Sequence, residues 1–108
     1  MINGYRHMWN FVFFDLPTTE PEDRHEYNQF RKNLLKRGFL MMQYSVYVRH
    51  CISLEKADAQ IERIKHFLPP KGKVSILTVT DKQFGRIRNF WGVERVKNPE
   101  PQQMVLML

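Results

Sequence analysis

The sequence has 108 residues, of which 43% are hydrophobic and one is a cysteine. A chain of this length forms one domain, its apolar content excludes a disordered tail, and a single cysteine excludes an internal disulfide. Its 17 Lys and Arg against 11 Asp and Glu give a formal net charge of +6, which favours a polyanionic partner, foremost nucleic acid.

The first predicted element is the strand MWNFVFFD, residues 8–15, which is closed by Leu16-Pro17. Apolar residues stand at both odd-numbered and even-numbered positions, so both faces of this strand are expected to be covered. Helices can cover one face, and in a chain this short the other face needs a second copy of the protein. The strand ends on Asp15. Its carboxylate either caps the turn by accepting a backbone N–H or ligates a hard cation, for which two copies of Asp15 across a dimer axis suit magnesium better than one.

Thr19 and Glu22 resemble a capping box around Pro21, and they predict a helix that runs to about Arg37 and is stopped by Gly38. The core-facing stripe of this helix is formed by Tyr27, Phe30 and Leu34, with Leu35 beside them. Its basic residues lie mostly off that stripe, as on a solvated helix face.

The segment FLMMQYSVYVRH, residues 39–50, predicts either one long bent strand or two short ones. Ser53 is the expected N-cap of a second helix, which ends at Pro69-Pro70. KVSILTVTD, residues 73–81, predicts another strand that ends on an acid, Asp81. A short strand is expected around residues 87–91, and the apolar strand MVLML, residues 104–108, closes the chain.

This order of elements predicts an α+β fold of the ferredoxin-like, split βαβ kind, with an antiparallel sheet and two helices on one face. The domain is expected to span residues 1–96. Residues 97–108 are expected to form a Pro-bounded linker and a strand that adds to the sheet of a dimer partner, because an apolar strand of this kind is not left exposed.

Most signatures of catalysis are missing from the sequence. It contains no P-loop, no dinucleotide-binding glycine motif and no HExxH, and its four histidines lack ligand spacing. Cys51 is expected to be a small buried thiol. No run reaches the ~18 apolar residues of a membrane span, so a cytoplasmic protein is expected. Asp15 is therefore the residue to which chemistry is assigned.

Four blocks in order, FVFFDLPT, FRKNLLKRGF, QYSVYVRHC and LPPKGKVSILTVTDKQFG, resemble the small CRISPR-associated endoribonuclease family. This is the second of the two universal CRISPR-adaptation proteins, and residues 8–88 look like its variant from type II systems. The resemblance implies a ferredoxin-like homodimer whose sheets pack face to face. It also implies a magnesium-dependent nuclease in which Asp15 is the catalytic and metal-binding residue.

The resemblance further implies a part in spacer integration, in which the dimer bridges CRISPR integrase subunits along a duplex of protospacer DNA. Contacts to the phosphate backbone would not read sequence. The residues expected to bind nucleic acid are Arg24, Arg31, Lys32 and Arg37. Some nuclease-active relatives carry an arginine just before the Gln-Tyr-Ser block, where this chain has Met41 and Met42, a departure that bears on cleavage rather than on the fold.

Three functions therefore compete. The first is a Mg²⁺-dependent endonuclease that cuts RNA or DNA. The second is a non-catalytic, DNA-binding scaffold in which Asp15 is structural. The third, which needs no resemblance, is a ferredoxin-like binder of single-stranded RNA; it ranks last because it needs exposed aromatic residues on an open sheet face.

Overall fold

The computed structural model describes residues 6–92. In chain order the elements are β1 (Arg6–Asp15), α1 (Pro21–Lys36), β2 (Leu40–Gln43), β3 (Val46–Ser53), α2 (Leu54–Ile64) with a 3-10 turn (Lys65–Phe67), β4 (Lys73–Thr80) and the short α3 (Asp81–Phe84). The sheet order is β2-β3-β1-β4 with every neighbouring pair antiparallel. This confirms the predicted ferredoxin-like fold. Within residues 6–92 no helix is long and apolar enough to cross a lipid bilayer.

Strand β1 lies in the middle of the sheet, with β3 on one side and β4 on the other. Successive side chains of a strand point to opposite faces, and from residue 8 onward the even-numbered ones of β1 are buried under the helices. These are Met8, Asn10, Val12 and Phe14. The odd-numbered residues Trp9, Phe11, Phe13 and Asp15 therefore share the other face, which we call the open face.

The main core packs β1 and β3 against both helices. Its buried members are Val12, Phe14, Leu16, Phe30, Leu34, Phe39, Tyr47 and Ile64. The Phe14 ring lies at its centre, 5.1 Å from the Phe30 ring in an edge-to-face arrangement and 5.6 Å from the Tyr47 ring. Burying one such aromatic side chain stabilises the fold by about 1.5–3 kcal/mol. The predicted α1 stripe is thus confirmed, because Phe30 and Leu34 are buried in this cluster and Tyr27 packs against it partly buried. Leu35, beside the stripe, is exposed.

A polar side chain, that of Asn10, lies between the sheet and the helices. Asn10 is fully buried, and its Nδ2 donates to the carbonyl of Ala57 on α2 at 3.0 Å. Its Oδ1 accepts from the hydroxyl of Thr78 on β4 at 2.6 Å. Because a buried amide without partners is costly, these bonds tie α2, β1 and β4 in one relative position.

The C-terminal end of α1 agrees with the sequence. Gly38 has φ +85°, and the amides of Gly38 and Phe39 donate to the carbonyls of Leu35 and Leu34, both at 3.1 Å. This is a Schellman motif, which favours glycine at its left-handed position. The Ser53 cap of α2 is also confirmed, since its hydroxyl accepts from the Lys56 amide at 3.1 Å.

The predicted capping box of α1 is wrong. The N-cap is Glu20, whose side chain makes no capping bond, and Pro21 opens the helix. Thr19 lies one residue too early to cap. Instead, Arg24 Nη1 donates to the carbonyls of Thr18 and Thr19 at 3.2 and 2.6 Å and ties the connection to the helix.

Residues 39–50 form two strands rather than one, joined by a tight turn at Tyr44 and Ser45, where Ser45 has φ +61°. The strand expected around residues 87–91 is wrong, because no strand is assigned within that range. Thr80 ends β4 and caps α3 in a reciprocal box with Gln83, so Asp81 starts a helical turn. The predicted domain boundary after residue 96 and the strand at 104–108 lie outside the described residues.

Gly72 provides a test of the close packing at the end of β1. Its φ is +86°, and an added Cβ would lie 2.5 Å from the Asp15 carbonyl oxygen and 2.8 Å from Leu16 Cδ2. We expect Gly72→Ala to lower the free energy of unfolding by about 2 kcal/mol, because the backbone carbonyl cannot move aside. Urea denaturation measures this.

Gly85→Ala is the matched control for that substitution. Gly85 has φ −65°, and its added Cβ would come no closer than 3.5 Å to the Asp81 carbonyl oxygen. Its unfolding free energy is expected to stay within about 0.5 kcal/mol of the parent or to rise slightly. Equal losses in the two variants would contradict the close approach at Gly72.

Candidate active site at the end of the central strand

Asp15 is the last residue of β1, and its side chain is exposed. In the sheet it pairs in register with Lys73, the first residue of β4. The backbone here is held by the approach of Gly72 to the Asp15 carbonyl oxygen. The carboxylate therefore projects from a fixed point on the open face, two residues along the strand from Phe13.

A hollow of about 270 Å³ opens beside this carboxylate. Its polar lining consists of Asp15, Tyr44, Ser45, Lys73 and Ser75, and its apolar lining of Phe13, Phe14 and Val46. The hollow thus gathers residues from β1, β4 and the β2–β3 turn. One carboxylate, one ammonium group and three hydroxyls lie on its walls.

The β2–β3 turn that forms one wall is held in place by α1 and β1. The Phe14 amide donates to the Ser45 carbonyl at 3.0 Å, and the hydroxyls of Tyr27 and Ser45 lie 3.0 Å apart. Tyr44 stacks on Tyr27 with ring centroids 5.8 Å apart. Burial raises the pKa of Tyr27, so its hydroxyl stays protonated and remains a hydrogen-bonding partner at neutral pH.

The Asp15 side chain is free to bind a ligand, as far as residues 6–92 are concerned. It makes no hydrogen bond and no ion pair with them, and it does not cap the Leu16-Pro17 turn. Within the same residues no group of three or more His, Cys, Asp or Glu converges. Magnesium takes oxygen ligands, often one or two carboxylates completed by water and substrate phosphates. The oxygen atoms of Asp15 and of the three hydroxyl groups in the hollow are ligands of the kind that such an ion takes.

The four residues predicted to bind nucleic acid all lie on α1 or at its C-cap. Arg24 is engaged with the Thr18 and Thr19 carbonyls. The Arg37 guanidinium lies over the Phe67 ring, 4.6 Å from its centroid, in a cation–π contact. Both arginines therefore have structural roles in addition to their charge.

The other two, Arg31 and Lys32, are half-buried and exposed respectively, and neither pairs with a carboxylate of the described part of the chain. Helix α1 packs on the face that bears Phe14, whereas Asp15 belongs to the open face. The structure therefore does not bring the predicted phosphate contacts together with Asp15.

Comparison with known proteins decides the family. The family model described as CRISPR associated protein Cas2 matches residues 8–87. The chain belongs to the Cas2 family. A relative from Parvibaculum lavamentivorans is 48% identical over 100 residues, covering 92% of this chain and 99% of its own. One from Flavobacterium psychrophilum is 43% identical over 104 residues, covering 96% and 90%. Both are named CRISPR-associated endoribonuclease Cas2, and the family inferred from the four sequence blocks is confirmed.

Two residues beside Asp15 could not be predicted from the sequence. Lys73 and Ser75 reach the hollow through the register of β1 with β4, which no local pattern encodes. Asp81, the other acid at a strand end, lies at the opposite end of the sheet, where its Oδ1 accepts from Trp9 Nε1 at 2.7 Å. The two acids therefore do not form one site.

Cys51 of the Cas2 chain is buried, as predicted. Burial raises the pKa of its thiol, and the nearby Arg49 charge only partly opposes that shift. A raised pKa keeps the protonated, unreactive form at neutral pH. This agrees with a packing role and leaves Asp15 as the reactive candidate.

Replacing Asp15 by Asn tests whether this side chain supports the fold. We expect the free energy of unfolding to change by less than about 0.5 kcal/mol, because no contact within residues 6–92 is lost. Ser53→Ala removes a capping bond that is present and should cost about 1 kcal/mol. Thermal or urea unfolding of both variants gives the comparison. A loss in Asp15→Asn as large as in Ser53→Ala would restore the turn-cap interpretation.

Proposed function

We propose that this Cas2-family protein is a magnesium-dependent endonuclease of CRISPR adaptation, an endoribonuclease or DNA endonuclease that works as a homodimer. In this proposal each chain supplies Asp15 as catalytic and metal-binding residue. The observation that carries it is a carboxylate on the open face that has no partner among residues 6–92 and lies beside an oxygen-lined hollow. The relatives' name, endoribonuclease, supports the same activity.

The open face supports the homodimer. Phe13, Leu40 and Leu77 are 38%, 69% and 51% exposed, and an apolar groove of about 300 Å³ runs between Phe13, Leu77 and Phe84. Contiguous exposed apolar surface marks an interaction site. A second copy fits because a two-fold axis places the same patch on both partners. Asp15 shares this face with Phe13, so a two-fold axis that passes close to this end of β1 would bring the two carboxylates together.

The residues around Asp15 suit phosphodiester hydrolysis. The two Asp15 carboxylates would hold Mg²⁺, which when bound neutralises charge on a phosphate and lowers the pKa of a water. Lys73, opposite Asp15 in the sheet, adds a positive charge that favours binding of the phosphate. Ser45 and Ser75 offer hydroxyl groups that can donate to phosphate oxygens or orient a water.

A second function is supported by the charge distribution: a non-catalytic dimer that bridges CRISPR integrase subunits along protospacer DNA during spacer integration. Contact with a phosphate backbone is favoured by the net charge of +6 and by Arg31 and Lys32 on α1, which form no ion pair within the part of the chain that the structure describes. Met41, which is 53% exposed, stands in the stretch where, by the resemblance, some nuclease-active relatives carry an arginine. Both functions use the same dimer and differ over Asp15.

Cleavage assays separate the two functions. Labelled single-stranded RNA and double-stranded DNA are incubated with the parent protein or Asp15→Asn, in Mg²⁺ or in EDTA. For an enzyme we expect Mg²⁺-dependent cleavage that falls at least about 100-fold in the variant, because a ligand and its charge are lost. The molecular mass of the variant in solution is the control for assembly. Equal cleavage by both proteins, or no cleavage by the parent, would contradict the catalytic role of Asp15 and favour the non-catalytic bridging function.

Leu77→Lys tests the dimer. The parent is expected to have twice the 13.1 kDa mass of one chain in light scattering. The substitution should weaken association more than about ten-fold, because it places an unpaired ammonium group in an apolar interface. Leu68→Lys changes a comparably exposed leucine in the loop after α2 and should leave the mass unchanged. A monomeric parent would contradict the homodimer and leave the open face available to stack nucleic-acid bases.

A further inference from the structure

A second hollow, of about 350 Å³, lies between β3 and α2. Its lining includes Arg49 from β3 and Lys56, Gln60 and Arg63 from α2, and no acidic residue lines it. We call it the α2 groove. The three α2 residues are spaced i, i+4 and i+7, so they form one stripe along the helix.

The cations of the α2 groove have no carboxylate partner among residues 6–92. The ion pairs in that part of the chain are Glu62–Lys65 and Asp23–Lys71. Of the acidic residues of α2, Asp58 lies on the side opposite to the stripe, and Glu55 and Glu62 flank it, roughly 100–120° from Lys56 around the helix axis at 3.6 residues per turn. No carboxylate lines the groove itself, so positive charge is concentrated there.

Gln60 gives an independent sign of a ligand. The residue is only 6% exposed, it lines the groove, and its Oε1 has no hydrogen-bond partner within the described structure. Native proteins rarely leave a buried amide oxygen unsatisfied. A side-chain amide both donates and accepts. The free oxygen needs a donor, such as a sugar hydroxyl or the hydroxyl of a phosphate monoester, whereas the amide nitrogen can donate to a phosphate oxygen.

Arg49 reaches the groove across the C-terminal end of α1. A Cβ added to Gly38 would lie 3.3 Å from Arg49 Nε and 3.7 Å from its Cζ. The glycine that ends α1 thus also leaves the space in which the guanidinium lies. Arg49 is opposite Asn10 of β1 in the sheet. Asn10 precedes Asp15 by five residues, which is about 17 Å along a strand that rises ~3.4 Å per residue. The α2 groove is therefore separate from the hollow at Asp15.

We infer that the α2 groove binds a phosphate group of a nucleic-acid strand, held by Arg49, Lys56, Arg63 and the Gln60 amide. The inference rests on the proposed action on nucleic acid, but it assigns a binding surface away from Asp15. The phosphate belongs either to a strand terminus or to the internal backbone.

The first test measures binding of a short mixed-sequence DNA duplex as salt is varied. Lys56→Gln/Arg63→Gln is compared with Lys65→Gln/Lys82→Gln, which removes the same charge outside the groove. In the groove variant the slope of log K against log salt should fall by about 2, with affinity at least about ten-fold lower. The control should keep most of the slope. If affinity and salt slope fell equally in the two variants, the loss would be explained by net charge alone, and the inference would be overturned.

Two forms of the duplex identify which phosphate is bound. If duplexes with 5′-phosphate ends bind the parent more tightly than those with 5′-hydroxyl ends, and the groove variant loses that difference, the phosphate is terminal. If both forms bind equally and the groove variant weakens both, it is an internal backbone phosphate. Either result supports the groove as a phosphate site.

The NMR signals of the Gln60 side-chain amide report on binding in the groove itself, because a change in net charge alone would not shift them. In NMR titrations with inorganic phosphate and with the duplex, the Gln60 side-chain amide signals should shift, whereas those of Gln43 on β2 should not. Unmoved Gln60 signals at saturating duplex would overturn the inference while leaving the proposed function in place. A parent protein that binds neither DNA nor RNA would overturn both.

Discussion

The central position of β1 is the constraint on which the other features depend. With β3 and β4 hydrogen-bonded along its two edges, this strand can offer further contacts only through its faces. One face is used by α1 and α2 around Phe14. The other holds Phe13 and Asp15 two residues apart, so the apolar surface and the free carboxylate are consequences of the same alternation. A one-residue slip of β1 would exchange the two faces.

Asn10 protects the register of that strand. Its amide bonds to Ala57 on α2 and Thr78 on β4 exist only when β1 presents its even-numbered residues to the helices. Slipped pairing would bring the amide to the open face and a large aromatic side chain, Phe11 or Trp9, into its place. A buried amide thus contributes specificity of pairing as well as stability.

The sequence predicts features that depend on neighbouring residues and misses those that depend on distant ones. Gly38 and Ser53 mark helix ends through contacts within a few residues, and both are confirmed. The sequence places the start of α1 one residue early, because Thr19 is a favoured N-cap type whereas Glu20, which holds the N-cap position, is not. Lys73 beside Asp15 could not be predicted, because their proximity depends on the pairing of strands far apart in the chain. The roles of Arg24 and Arg37 within the fold were likewise invisible, since a basic helix face has the same composition whether or not its side chains contact the protein.

The carboxylate of Asp15 is positioned entirely by backbone contacts: the β1–β4 pairing and the approach of Gly72 to its carbonyl. The side chain itself holds nothing in residues 6–92 together. Evolution can therefore gain or lose the acid by a single codon change without a folding defect to repair. In the proposed function, such a change at Asp15 would convert a cutting form into a non-cutting form of the same fold, with the apolar open face unchanged.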